Sequence, residues 1–214
     1  NRTTMEQLQY ISQGKTREEQ ETNIRKALDH GIGWVQVRWK NAPEKELISL
    51  CEASKRLCSE YQSVCIINDH VELARSIDAD GVHLGLDDGS VKTARSILGD
   101  HKIIGGTANT LSDVLQRMNE PCDYIGLGPL RFTATKEKLS PVLGFEGYRQ
   151  MVENLKEKSL SLPKIFAIGS ITPEDIVPLL QIGIYGVSVS GEITRQPSLI
   201  KEFKKEITHN EIFR

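Results

Sequence analysis

Eight short apolar runs punctuate the chain, at residues 8–11, 34–37, 64–67, 81–84, 103–105, 124–127, 165–168 and 186–189. They are rich in Val and Ile and mostly do not alternate with polar residues, the pattern of parallel strands covered on both faces. Helical periodicity fills the stretches between them. Seven intervening helical segments and one trailing helix at about 198–207 predict an α/β fold, a (β/α)8 TIM barrel. The rival is a doubly wound open sheet. It is disfavoured because no G-x-G-x-x-G follows the first run.

The helix ends carry their own signals. Thr16 with Glu19 reads as a capping box, and Gly31 stands just past the end of that helix. Pro43 opens the next helix. Thr172-Pro173-Glu174-Asp175 supplies a cap, a first-turn proline and two acids for the positive end of a helix dipole. Gly183 ends that helix, and Pro178 inside it predicts a kink or a shortening.

The chain has 214 residues. That length suits one barrel domain spanning 1–214, with residues 1–6 read as a tail, and it buries roughly 70% of the unfolded surface. A formal net charge of −2 gives no sign of a nucleic-acid partner. No stretch reaches the ~20 apolar residues of a membrane span, and the N-terminus lacks the apolar core of a signal peptide. A cytoplasmic location is the default. The four cysteines, Cys51, Cys58, Cys65 and Cys122, form no C-x-x-C pair and read as small buried hydrophobes in a reducing compartment. Oligomeric state stays open, a homo-oligomer included.

In a barrel of this kind the chemistry gathers where strands end and the following loops begin. Gln36, Arg38 and Lys40 share one side after the second run, where a guanidinium fork and an ammonium suit a phosphate or diphosphate. A solvated strand edge explains the same pattern equally well. Asp69 follows the third run and Asp88 the fourth. Each alone suits a helix N-cap, but two carboxylates on neighbouring strand ends suit Mg²⁺, which takes one or two carboxylates plus phosphate and water. His83, inside an apolar run, reads as a residue that orients a neighbour. The polar segment 131–141, with Thr133, Thr135 and Lys136, reads as a lid or binding loop. Gly169-Ser170 and Ser190-Gly191 leave backbone N–H groups exposed beside a helix start after the seventh and eighth runs, the usual place for a monophosphate. Two anion sites thus share one barrel.

The ordered motifs Gln36-Val37-Arg38-Trp39-Lys40, Ile67-Asn68-Asp69-His70-Val71-Glu72-Leu73-Ala74, Asp80-Gly81-Val82-His83-Leu84-Gly85-Leu86-Asp87-Asp88, Asp123-Tyr124-Ile125-Gly126-Leu127-Gly128-Pro129, Thr133-Ala134-Thr135-Lys136 and Ala167-Ile168-Gly169-Ser170-Ile171 carry a family resemblance. From about residue 8 to 207 the chain resembles the thiamine-phosphate synthases (thiamine-phosphate pyrophosphorylases). The resemblance implies a transferase that condenses 4-amino-2-methyl-5-(diphosphooxymethyl)pyrimidine with a thiazole phosphate through a pyrimidine carbocation. It implies that Gln36, Arg38, Lys40, Asn68 and Lys136 hold the pyrimidine diphosphate and that Asp69 and Asp88 ligate Mg²⁺. It places Thr107 on the diphosphate, and Thr133, Thr135, Ser170, Ser190 and Gly191 on the thiazole phosphate. Arg38, Lys40 and Lys136 would carry the catalytic charge stabilisation. The chain departs from the family pattern at Leu86, Thr107, Asn109, Arg131-Phe132, Ser170 and Ser190-Gly191, mostly on the thiazole-phosphate side. Two alternatives stay open: a thiazole tautomerase, which shares the scaffold, and a non-catalytic thiamine-precursor binding protein, which the departures at Ser170 and Ser190-Gly191 motivate.

Overall fold

The computed structural model describes residues 5–134 and 140–212. Eight parallel strands close in sequence order: β1 (Leu8–Ile11), β2 (Trp34–Val37), β3 (Val64–Asn68), β4 (Gly81–Leu84), β5 (Ile103–Ala108), β6 (Tyr124–Leu127), β7 (Ile165–Ala167) and β8 (Gly186–Val189). The pairing of Leu8 with Val187 and of Tyr10 with Val189 joins the last strand to the first. The helices are α1 (Arg17–Asp29), α2 (Glu44–Glu60), α3 (Val71–Ser76), α4 (Val91–Leu98), α5 (Leu111–Met118), α6 (Gly144–Glu157), α7 (Ile176–Ile182), α8 (Gly191–Arg195) and α9 (Leu199–Ile212). This is the (β/α)8 barrel the apolar runs predict. Among the described residues no helix is long and apolar enough to cross a membrane.

Strand parity divides the core in two. Tyr10, Val35, Val37, Ile67, Val82, Ile104, Ile125, Ile165 and Val187 join the outer layer, where they pack with helix residues such as Ile24, Leu50, Leu155 and Phe203. At roughly 1.5–3 kcal/mol per buried large aliphatic side chain, this sleeve between sheet and helices supplies most of the driving force. The opposite parity fills the barrel. Its lower layer is Trp34, Ile66, Tyr124 and Phe166, with Trp34 edge-on to Tyr124 and Phe166 at 5.0 and 5.3 Å. Above it lies a polar layer of Gln9, Gln36, His83 and Ser188. Met5 and Tyr185 close the lower layer from below, where the Tyr185 hydroxyl donates to the Met5 carbonyl at 2.7 Å.

Local signals set several ends. The Thr16 hydroxyl accepts from the Glu19 amide at 3.1 Å, while the Glu19 carboxylate turns to the Lys15 amide instead of completing the box. Pro43 is the N-cap residue of α2, one position ahead of the helix proper. At Thr172 the box is complete with Asp175, and Pro173 lies at the first position of a 3₁₀ turn, Pro173–Asp175. That turn hands over to α7, so Pro178 falls in the helix's first turn, where a missing N–H costs no hydrogen bond. Gly183 ends α7 at φ +117°, a left-handed conformation open to glycine at little cost.

Several boundaries differ from the sequence reading, and β3 gains Asn68 at its end. β5 runs on through Thr107 to Ala108, and β7 stops at Ala167. The trailing helix extends to Ile212, and the short α8 precedes it.

Candidate active site

The first half of the site sits where β2, β3 and β4 end. Asn68 closes β3, and Asp69 follows at φ +78°. That left-handed backbone turns the Asp69 carboxylate over the rim, and its amide is tied to the His83 carbonyl at 2.8 Å. Asp88 reaches the same place from the turn after β4, where one carboxylate oxygen accepts the Gly85 amide at 2.8 Å. Neither acid is at a helix N-cap: His70 holds that position at α3, and at α4 the Ser90 hydroxyl accepts from the Thr93 amide. The N-cap alternative for these acids is therefore excluded.

Asp69 and Asp88 lie close enough to share a hydrogen bond. Burial, that hydrogen bond and the Asp88 charge hold the Asp69 carboxyl above its usual value, against the pull of Lys40 and His70. Lys40 Nζ stands 3.5 Å from Asp69 Oδ2. Two facing carboxylates that repel one another are relieved by a small divalent cation, so the pair fits Mg²⁺. Among the described residues no group of three or more His, Cys, Asp or Glu side chains gathers to hold a metal, so substrate oxygens and water would complete the coordination.

Gln36 is no surface edge residue. It is buried in the polar layer, and its Nε2 donates to Gln9 Oε1 at 2.9 Å. Arg38 continues β2 upward, with its backbone fixed by Ser12 and Gln20. Thr107, on β5, meets His83 Nε2 at 2.9 Å.

The second half of the site is a cavity of about 290 Å³ over β1, β6, β7 and β8, lined by Arg38, Pro129, Thr133, Ile168, Ser170, Ser190, Gly191 and Glu192. Ser170 adopts φ +52°, and its hydroxyl donates to the Phe132 carbonyl at 2.8 Å. The Ser190 hydroxyl donates to the Ile11 carbonyl at 2.7 Å. Gly191 opens α8, which is braced on β1 by the 2.6 Å contact of Thr194 Oγ1 with Tyr10 Oη. Thr135 and Lys136 lie outside the described residues.

Arg38 thus joins both halves: it lines the cavity while standing two residues beyond Gln36, and Lys40 stands two residues further on, beside Asp69. Several residues of the site were not assigned a role from the sequence. Arg131 forms a bidentate pair with Asp175 at 2.6 and 2.7 Å and donates to the Ser170 carbonyl, clamping the loop after β6 to the loop after β7. Glu192 and Arg195 pair at 3.5 Å beside Gly191. The buried Arg117 donates to the carbonyls of Thr107, Leu84 and Gly85, fixing the rim from which Asp88 projects. Only the departure of Arg131 from the family pattern marked it in the sequence.

Comparison with known proteins identifies the family. A family model described as thiamine monophosphate synthase matches residues 8–193. A thiamine-phosphate synthase of Flavobacterium psychrophilum is 55% identical over 203 residues, 94% of this chain and 98% of its own length. That of Flavobacterium johnsoniae is 50% identical over 208 residues, 96% of this chain and 98% of its own. Among solved structures, a thiamine phosphate pyrophosphorylase from Pyrococcus furiosus superposes with a TM-score of 0.79 at 28% identity, covering 95% of this chain and 96% of that one. With a family model over most of its length and relatives at half identity or more, the chain belongs to the thiamine monophosphate synthase family.

Proposed function

We propose that this transferase joins 4-amino-2-methyl-5-(diphosphooxymethyl)pyrimidine to a thiazole phosphate, giving thiamine phosphate and diphosphate. The observation that carries the reading is the convergence of Asp69, Asp88 and Lys40 on one rim, bridged by Arg38 to the cavity at Ser170 and Gly191. The pyrimidine diphosphate would lie over β2–β5. The thiazole phosphate would lie over the loops after β7 and β8, on the backbone at Ser170 and Gly191, with Thr133 against it.

The reaction breaks the bond between the methylene carbon and the diphosphate oxygen, and that oxygen keeps the electron pair. The aminopyrimidine ring delocalises the resulting cation, and the thiazole nitrogen lone pair forms the new carbon–nitrogen bond. Mg²⁺, held by Asp69 and Asp88, would supply charge neutralisation to the leaving diphosphate. Arg38 offers it a planar fork, Lys40 and Lys136 offer ammonium groups, and Asn68 and Thr107 offer shorter polar contacts. Gln36 would hold the pyrimidine from within the barrel. No protein nucleophile is required. Juxtaposing the two substrates supplies the proximity term. The free thiols accord with work in a reducing compartment such as the cytoplasm.

The test is turnover with both substrates, in Mg²⁺ or in EDTA, following diphosphate and thiamine phosphate together. Mg²⁺-dependent formation of both, lowered at least ~100-fold by Asp69→Ala in a folded protein, is the expected result. Binding of both substrates without turnover would instead indicate a binding protein. Isomerisation of the thiazole alone, indifferent to Mg²⁺, would indicate a tautomerase.

A further inference from the structure

We infer that Gln9 and Tyr124 are positioning residues that hold His83 as its Nε2–H tautomer, so that Thr107 presents its hydroxyl hydrogen to the mouth of the barrel. The inference rests on the function proposed above for its ligand, the anionic oxygens of the leaving diphosphate. Its chemistry is read from a chain of buried hydrogen bonds.

The chain begins at Gln9, which has no exposed surface. Its Oε1 accepts from Gln36 Nε2 at 2.9 Å and from Ser188 Oγ at 3.0 Å. Its Nε2 therefore faces Tyr124 Oη, to which it donates at 3.2 Å. Tyr124 is buried, and its hydroxyl has one hydrogen to give. Having accepted from Gln9, it can place that hydrogen on His83 Nδ1, 2.8 Å away, or leave it buried without a partner. Donation to Nδ1 makes that nitrogen an acceptor and leaves the ring proton on Nε2. Nε2–H then donates to Thr107 Oγ1 at 2.9 Å. Thr107 has accepted, and among the described residues its hydroxyl hydrogen meets no acceptor.

The room for this chain is built into neighbouring strands. A Cβ at Gly105 would lie 2.1 Å from Tyr124 Cζ, and a Cβ at Gly126 would lie 3.2 Å from His83 Cε1. Thr107 stands two residues above Gly105 on the same face of β5, at the end where the barrel opens. Gly105 pairs with both His83 and Tyr124 across its two neighbouring strands, which holds the three members in register.

Turning over the carboxamides of Gln9 and Gln36 would reverse every donor. His83 would then carry its proton on Nδ1, and Thr107 would spend its hydrogen on His83. Only the forward direction leaves a donor for an anion.

The deciding measurement is made on the unsubstituted protein. The ring nitrogens of ¹⁵N-histidine-labelled wild-type protein report the tautomer directly, and His83 is assigned by the signal lost in His83→Gln. A protonated Nε2 with a bare Nδ1 is expected. A proton on Nδ1, or on both nitrogens at neutral pH, overturns the inference. Turnover then tests the link to Thr107. Tyr124→Phe should lower kcat about tenfold with KM for the thiazole phosphate unchanged, and Thr107→Ser should keep activity that Thr107→Val loses. In the Thr107→Val background Tyr124→Phe should cost nothing further. Independent, multiplying losses would overturn the relay. If the wild-type protein makes no thiamine phosphate, the proposed function falls while the tautomer measurement still decides the relay.

Discussion

Gly105 shows how little latitude the barrel interior allows. The Tyr124 ring occupies the space its Cβ would need. Gly105→Ala should therefore displace Tyr124 and cost at least ~2 kcal/mol, read as a lowered urea midpoint at unchanged m-value. A loss under ~0.5 kcal/mol would mean that the aromatic layer repacks freely. Tyr124 was legible in the sequence only as part of an apolar run, and Gln9 and Ser188 only as polar interruptions in such runs. Their shared hydrogen bonds join residues 115 and 179 positions apart, a relation no local pattern carries. Asp69 and Asp88 were legible because each directly follows a strand, where the barrel rule places function. What could not be read was that Asp88 comes near enough to hold the Asp69 carboxyl above its usual value. Among the described residues the buried Trp34 Nε1–H meets no acceptor.

At the scale of elements, the loops after β6 and β7 behave as one unit. The amides of Leu130 and Arg131 donate to the carbonyls of Ile168 and Gly169, and Arg131 then clamps Asp175. Arg131→Ala should raise KM for the thiazole phosphate about tenfold and leave KM for the diphosphate unchanged, since only the cavity loop loosens. Equal effects on both constants would place Arg131 elsewhere in the mechanism. The same pair sets a pH dependence. Burial pushes the Asp175 carboxyl up, but Arg131 and the Thr172 N–H and hydroxyl outweigh it and hold it below its ordinary value of 3.8. A lowered carboxyl stabilises the fold above its unfolded-state value and loses that contribution as pH falls through its folded-state value. The wild-type protein should therefore lose stability below about pH 4 more steeply than Asp175→Asn, in urea titrations at stepped pH. The elements themselves were readable where apolar content is continuous. The end of β5 escaped because Gly106-Thr107-Ala108 offers little hydrophobic signal. The five-residue α8 escaped because it is too short to show a period.

Over the whole molecule, the outer sleeve and the barrel interior answer to different demands. Cys51, Cys58 and Cys65 lie buried in the sleeve, and burial pushes the Cys51 thiol up to about 12. Cys122 is likewise raised to about 12 by burial, against the pull of Arg117. At pH 8 the native protein should react slowly with a thiol reagent, and four thiols should appear on unfolding. A rapidly reacting thiol in the native state would show an opening of the sleeve. The whole fold was visible from eight apolar runs because a closed parallel barrel needs each of its strands covered on the helix side.

Asp69 holds a left-handed backbone and faces a second acid, two conditions that work against the folded state. Asn tolerates that backbone at least as well and carries no charge. Asp69→Asn should therefore raise the melting temperature of the metal-free protein while abolishing Mg²⁺-dependent turnover. A lowered melting temperature would mark Asp69 as a structural residue instead. On this reading the wild-type residue is a concession of stability to activity, and a library selected for thermal resistance alone would discard it early.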